Sequence, residues 1–252
     1  MDTDAAMATG GGAGDAVDRL GAWGVVWQGL RFGWLALRAN AWPALGLWVV
    51  AVAIVGGYYA VPSVGAAMDA LGAVKDRHGY AFSAVSTALC GAVLPWLVTR
   101  FRLGGAGQGR VAFGVLLLVY WAIKGVEVDA LYRFQGWLFG TGTDPGTIAA
   151  KVALDMLLYM PLWAAPMTLA VYQIERVDGD LRRWWRGLNG RWVTHEALPI
   201  VVANWGVWVP AVIGVYLLPS ALQLPMQNLV LCLWALMMIF MADEAASAEP
   251  TR

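Results

Sequence analysis

Apolar residues in this chain come in long, nearly uncharged runs, and its charges collect in the gaps between them. Such runs predict membrane-crossing helices, because about 20 apolar residues rising 1.5 Å each cross a hydrocarbon layer about 30 Å thick. The clearest run, Ala41 to Pro62, carries no charge and follows a capping residue, Asn40. A second, Tyr80 to Val98, ends before Arg100 and Arg102, with Pro95 placed to kink it. A third extends over 111–133. A fourth, Thr147 to Val171, follows the loop around Asp144, Pro145 and Gly146. The last two, Ala197 to Leu218 and Met226 to Met241, read as a tight hairpin separated by Pro219 and Pro225. The pattern predicts an all-α, polytopic integral membrane bundle of about six spans, forming one domain over 19–241.

The gaps are read by their chemistry. Residues 1–18 are acidic, glycine-rich and lack a basic n-region, so they predict a disordered tail and no secretory signal. The stretch RLGAWGVVWQGLRFGWLALR, Arg19 to Arg38, mixes Trp23, Trp27 and Trp34 with Gln28 and Arg31; it fits an amphipathic helix lying in the interface, or else a short buried helix of the bundle. Asp69, Lys75, Asp76, Arg77 and His78 mark a loop after the first span. LGGAGQGR is a connector, because it lacks the Gly-Lys-Ser/Thr of a phosphate-binding loop. Gln173 to Glu196 is a polar stretch, and 242–252 is an acidic tail expected to fray. No internal repeat is evident.

Composition sharpens this picture. The chain is 60% hydrophobic and 13% charged with a mean hydropathy of +0.60, whereas a soluble domain has about 25% charged residues. A formal net charge of zero argues against general affinity for nucleic acid. Arg exceeds Lys by 14 to 3, which with abundant Ala, Gly and Val hints at a GC-rich, bacterial genome. Cys90 and Cys232 sit inside apolar runs and are expected to be reduced. Basic residues fall twelve on one side (Arg19, Arg31, Arg38, Arg100, Arg102, Arg110, Arg176, Arg182, Arg183, Arg186, Arg191, Arg252) against four on the other (Lys75, Arg77, Arg133, Lys151). By the positive-inside rule, both termini are expected in the cytoplasm of an inner-membrane protein, or inside an organelle if the source is eukaryotic.

Ionisable residues inside the apolar runs are the first functional candidates, since a charge in hydrocarbon costs at least about 2.5–3.5 kcal/mol unless partnered or wet. Lys124, Glu127, Asp129, Lys151 and Asp155 qualify. Lys124 and Glu127 are three apart and Lys151 and Asp155 four apart, so each pair is expected to share a helical face and neutralise itself. All five should lie in the same half of the bilayer, where the two pairs can meet. They make either a polar pocket for a solute, ion or proton, or a self-neutralised brace.

Between Leu181 and Trp192, Arg182, Arg183, Arg186 and Arg191 stand beside Trp184, Trp185 and Trp192, which suits anionic lipid headgroups or an ordinary positive-inside loop. Most of the fifteen tryptophans lie near span ends, as interfacial anchors do; a quinone, pigment or protein contact surface is the sharper alternative. His195-Glu196 opens like HExxH, but Pro199 stands where the second histidine should be, and His78 is the only other histidine. There is no GxSxG elbow. No metal site, cofactor or catalytic residue is expected, and the chain is read as non-enzymatic.

From Val128 onward the chain resembles the Mpv-seventeen / peroxisomal membrane protein twenty-two family of small multi-span proteins. The family's Lys-x-x-x-Asp-Gln-x-x-x-x-Pro is similar to Lys151, Asp155 and Pro161, with Met156 in place of the glutamine. Its Trp-x-x-Trp-Pro is similar to Trp205, Trp208 and Pro210 with Val209 inserted, and its last proline and tryptophan resemble Pro219 and Trp234. Family polar positions in the final hairpin appear here as Gly214, Gln223 and Ala235, so the resemblance implies a kept scaffold with a thinned polar lining; Ala41 to Pro62 looks like an added span. It also implies a channel-like or membrane-homeostasis role. The alternative is a structural or assembly subunit of a larger respiratory or photosynthetic membrane complex. Membrane lipids are the expected partners, with partner subunits or a homo-oligomer beside them.

Overall fold

The computed structural model describes residues 41–102 and 111–248 and, before them, Gly24, Trp27, Leu30, Arg31, Gly33, Trp34, Leu35 and Arg38. The expected tail at 1–18, the connector at 103–110 and residues 249–252 lie outside the described residues, as do the side chains of Pro43, Phe101, Arg102, Arg191, His195 and 237–248. Among the described residues every regular element is a helix. In chain order they are α1 (Ala41–Ala60), α2 (Pro62–His78), α3 (Tyr80–Ala88), a π-helical segment (Leu89–Val93), α4 (Leu94–Arg102), α5 (Val111–Phe139), α6 (Pro145–Ala153), a π segment (Leu154–Ala164), α7 (Ala165–Arg176), α8 (Leu181–Gly187), α9 (Gly190–Trp192), a π segment (Val193–Ala197), α10 (Leu198–Tyr216) and α11 (Ser220–Ala248).

Four continuous helical stretches are long and apolar enough to cross a membrane: Tyr80–Arg100, Val111–Phe139, Pro145–Arg176 and Leu198–Tyr216. Ala44–Ala60 and Pro62–His78 pass only together, as a pair bent by 102°, and Ser220–Leu236 is a shorter apolar helix. The chain is therefore an all-α bundle built as an integral membrane protein, and its first expected span, Ala41 to Pro62, is the continuous helix α1, with α2 following across the bend.

Several boundaries correct the sequence reading. The stretch containing Asp69, Lys75, Asp76, Arg77 and His78 is helix α2, not a loop. Pro62 opens it with its fixed φ and no donor to lose, and Gly72 lies against Ala221 and Leu222 of α11, where a Cβ would come within 3.2 Å of Ala221. Gly79, at φ 53°, stops it and donates its amide to the Lys75 carbonyl at 2.7 Å. The third span runs on to Phe139. The polar stretch Gln173 to Glu196 is largely helical, with Asp180 capping α8 by accepting from the Arg182 and Arg183 amides at 2.9 and 3.0 Å. The last helix starts at Ser220, takes Pro225 inside it and continues to Ala248, so 242–248 is helical where a frayed tail was expected.

The chain packs as two compact units, one made of Met1–Asn40 with Met160–Trp205 and the other of Ala41–Tyr159 with Gly206–Arg252. In the first, Gly33 is buried against Val202 and the Pro199 carbonyl while Trp27, Trp34 and Leu35 are exposed. Ala170, Trp192 and Ala197 form its core with Leu169, Trp184 and Leu188 packed around them. In the second, Ala44, Leu47 and Val207 are wrapped by Trp48, Trp208, Leu233 and Trp234. Helices α3 and α5 meet backbone to backbone there. A Cβ on Gly125 would sit 2.1 Å from the Ser83 carbonyl oxygen, so only glycine lets these backbones meet.

Candidate functional site: a buried polar seam

The second unit carries a row of buried polar side chains through an otherwise apolar interior. Its most highly charged part is centred on Asp129, which is 1% exposed. Four donors surround this carboxylate. Lys75 Nζ of α2 and Arg133 Nε reach Oδ1 at 3.0 and 3.2 Å, while Ser83 Oγ of α3 and Arg133 Nη2 reach Oδ2 at 2.7 and 3.4 Å. Arg133 follows Asp129 by one helical turn, and its guanidinium also lies over the Tyr80 ring, 5.1 Å from the centroid. The Gly125 contact brings Ser83 within reach, and the helical run of α2 brings Lys75.

A cavity of about 280 Å³ opens beside this constellation, lined by Lys75, Asp76, Asp129, Tyr132 and Arg133 with Gly136, Trp137, Thr141 and Ser220. It gathers the ends of α2, α5 and the start of α11.

Lys124 and Glu127 pair as their spacing predicts, Nζ to Oε1 at 2.7 Å. Tyr159 completes the group, its hydroxyl donating to Glu127 and its ring lying 5.3 Å from the Lys124 ammonium. The Lys151–Asp155 expectation fails. Both side chains are buried, yet no ion pair joins them among the described residues. The helix widens from α into π geometry at Leu154, between the two residues, so the four-residue spacing no longer aligns their side chains as in a regular α-helix. Tyr216 of α10 stands in for the missing contact: its hydroxyl donates to Asp155 Oδ2 at 2.9 Å and its ring lies 5.7 Å from Lys151 Nζ.

The five candidate charges therefore form three separate groups. Asp129 belongs with Lys75, which the sequence reading had placed in a loop, and with Arg133, at the end of the third expected span. Neutral polar residues link the row: Tyr132 donates to Gln227 at 3.0 Å, and Asn228 accepts from Thr87 at 2.8 Å and donates to Ser86 at 2.9 Å. Tyr132 and Tyr216 meet edge to face at 5.5 Å. Gln135 is fully buried beside Tyr216, and neither of its side-chain polar atoms makes a hydrogen bond of good geometry among the described residues. Lys75, Ser83, Tyr159, Tyr216, Gln227 and Asn228 were missed. For Lys75 a signal was present, since PSVGAAMDALGAVKDRH has a helix-opening proline and no proline inside it. The hydroxyl and amide partners had none. The last helix supplies Gln223, Gln227 and Asn228 to this interior.

The arginine–tryptophan segment divides. Arg182, Arg183, Trp185 and Arg186 are exposed. Trp184 instead donates its indole N–H to the Ala170 carbonyl at 2.7 Å, and Trp192 is buried in the core of its unit. Of the residues carrying the family resemblance, Pro161 lies in the π segment, Pro210 inside α10, and Pro219 in the turn before α11. Trp205 is half-buried, and Trp208 and Trp234 pack on the Ala44 cluster. Outside the membrane-crossing helices, the Thr147 hydroxyl and amide and the Gly146 amide hold the Asp144 carboxyl below its ordinary range. Among the described residues no three His, Cys, Asp or Glu side chains gather as a metal site needs. No family model matches this chain, nor does any curated protein or solved structure.

Proposed function

We propose that this chain is a non-enzymatic, channel-like protein of an inner membrane, with both termini cytoplasmic, that passes small polar solutes along the seam of its larger unit. The observation that carries this reading is the placement of the charges. Lys75, Lys124, Asp129, Lys151 and Asp155 are each at most 5% exposed, so they face the interior of a protein whose outer surface is apolar. Buried charge of this kind marks solute and ion pathways in membrane proteins. The cavity at Lys75 and Arg133 gives the seam an opening. The resemblance to the Mpv-seventeen / peroxisomal membrane protein twenty-two family agrees with such a role.

Reconstitution into liposomes tests it. Replacing Glu127 by Gln and Asp155 by Asn removes two negative charges and should disfavour cations. The reading fails if wild type passes no solute above protein-free liposomes while the variant only loses stability, as a structural brace would.

A second reading, a subunit of a larger membrane complex, is favoured by Trp42 and Trp137, which are 82% and 77% exposed at helix ends. Such aromatics would contact lipid, pigment or partner helices. Native mass measurement in mild detergent decides it, because a stoichiometric partner would replace permeation by assembly.

A further inference from the structure

The cavity beside Asp129 is rich in donors and poor in acceptors, and the imbalance can be counted. A carboxylate offers roughly four lone-pair sites. Those of Asp129 are taken by Lys75, Arg133 Nε, Arg133 Nη2 and Ser83. Asp129 therefore has nothing left for a ligand, and its role is to hold two cations side by side. Lys75 directs only one of its ammonium hydrogens at Asp129, and Arg133 only two of its five, so both keep donors in hand. Thr141 and Ser220 add hydroxyls with no partner among the described residues. Ser220 is also the first residue of a 29-residue helix, whose amino end carries a partial positive charge.

We infer that this cavity binds a small organic monocarboxylate, its carboxylate held by Lys75, Arg133 and Ser220 and its apolar part lying along Tyr132, Gly136 and Trp137. Two cations share one buried carboxylate, so the donors beside Asp129 keep a surplus of one positive charge, which favours a monoanion there, while Asp76 brings the formal charge of the whole lining to zero. The other acid on the wall, Asp76, is solvent-exposed and opposes the ligand. At about 280 Å³ the space is at the small end of ligand pockets, and the aromatic wall favours a carbon-bearing acid over an inorganic oxyanion. The inference rests on the permeation reading only in naming what enters the seam, and binding at equilibrium is measured without flux.

The test is isothermal titration of the full chain in mild detergent with sodium propionate and sodium benzoate, against sodium phosphate and tetraethylammonium chloride. Saturable binding of the carboxylates is expected, with phosphate and tetraethylammonium giving none. Arg133→Gln removes a charged donor and should weaken binding about tenfold. Asp76→Asn removes an opposing charge from an exposed position and should tighten it several-fold. This variant keeps the test decisive if Arg133→Gln fails to fold. Absence of carboxylate binding by wild type, phosphate binding as tightly as propionate, or weaker binding by Asp76→Asn would each overturn the inference; the last would point to a ligand bearing positive charge. Carboxylate binding without flux leaves this site standing and removes permeation. Flux of other solutes without carboxylate binding does the reverse.

Discussion

Asp129 and Asp155 are both aspartates on apolar helices, 1% and 5% exposed, and their surroundings differ. Asp129 is ringed by a lysine, an arginine and a serine drawn from three helices. Asp155 has a lysine four residues before it and pairs instead with one tyrosine hydroxyl. Sequence spacing favoured an ion pair at Asp155 and gave no hint of one between Lys75 and Asp129. A buried carboxylate is served by whichever donors the packed backbones deliver, and a π segment or a glycine contact outweighs a favourable four-residue interval.

That contrast can be broken in order of expected effect. Asp129→Asn leaves Lys75 buried beside Arg133 without the shared anion, and should cost about 3–5 kcal/mol, read by denaturant unfolding in detergent. A loss under a third of that would show that the two cations are stabilised from elsewhere. Gly125→Ala forces a methyl against the Ser83 carbonyl and should cost about 1–3 kcal/mol or more; a normal unfolding midpoint would mean that α3 and α5 do not meet there. Tyr216→Phe keeps the ring over Lys151 but strips Asp155 of its donor, for about 1–3 kcal/mol. Asp155→Asn should be milder, below about 1 kcal/mol, because an amide oxygen still accepts from Tyr216. If it matched Asp129→Asn in size, Lys151 and Asp155 would have to be paired after all.

The smallest effect belongs to a carboxylate outside the spans. Asp144 has its folded pKa lowered by the donors of the α6 cap, so its contribution is present above the ordinary aspartate value near pH 4 and is lost as pH falls through the lowered one. The difference in Tm between wild type and Asp144→Ala should stay constant from neutrality down to about pH 4 and shrink below it. A difference growing towards acid would reverse the sign of that coupling.

The membrane class and most helix positions were legible, because uncharged runs such as Ala41 to Pro62 and Ala197 to Leu218 are long enough to report their solvent by themselves. The Lys124–Glu127 pair was legible for a related reason: three residues within one regular helix is a local distance. Helix α2 was not, because its polar residues imitate a loop, and what keeps them helical is contact with α11 at Gly72. Trp192 read as a lipid anchor and lies in a core, since composition does not say which side of a short helix faces protein.

Sequence by itself determined that this chain dissolves in lipid, that it is helical, and that a handful of charges must hide from hydrocarbon, because transfer free energies depend only on residue type and run length. Tertiary structure alone decided who hides with whom. Lys75 meets Asp129 across 54 positions of chain because α2 and α5 pack in one unit, and Tyr216 meets Asp155 across 61. Partnership between buried charges depends on the approach of backbones far apart in sequence, and no local pattern records that distance.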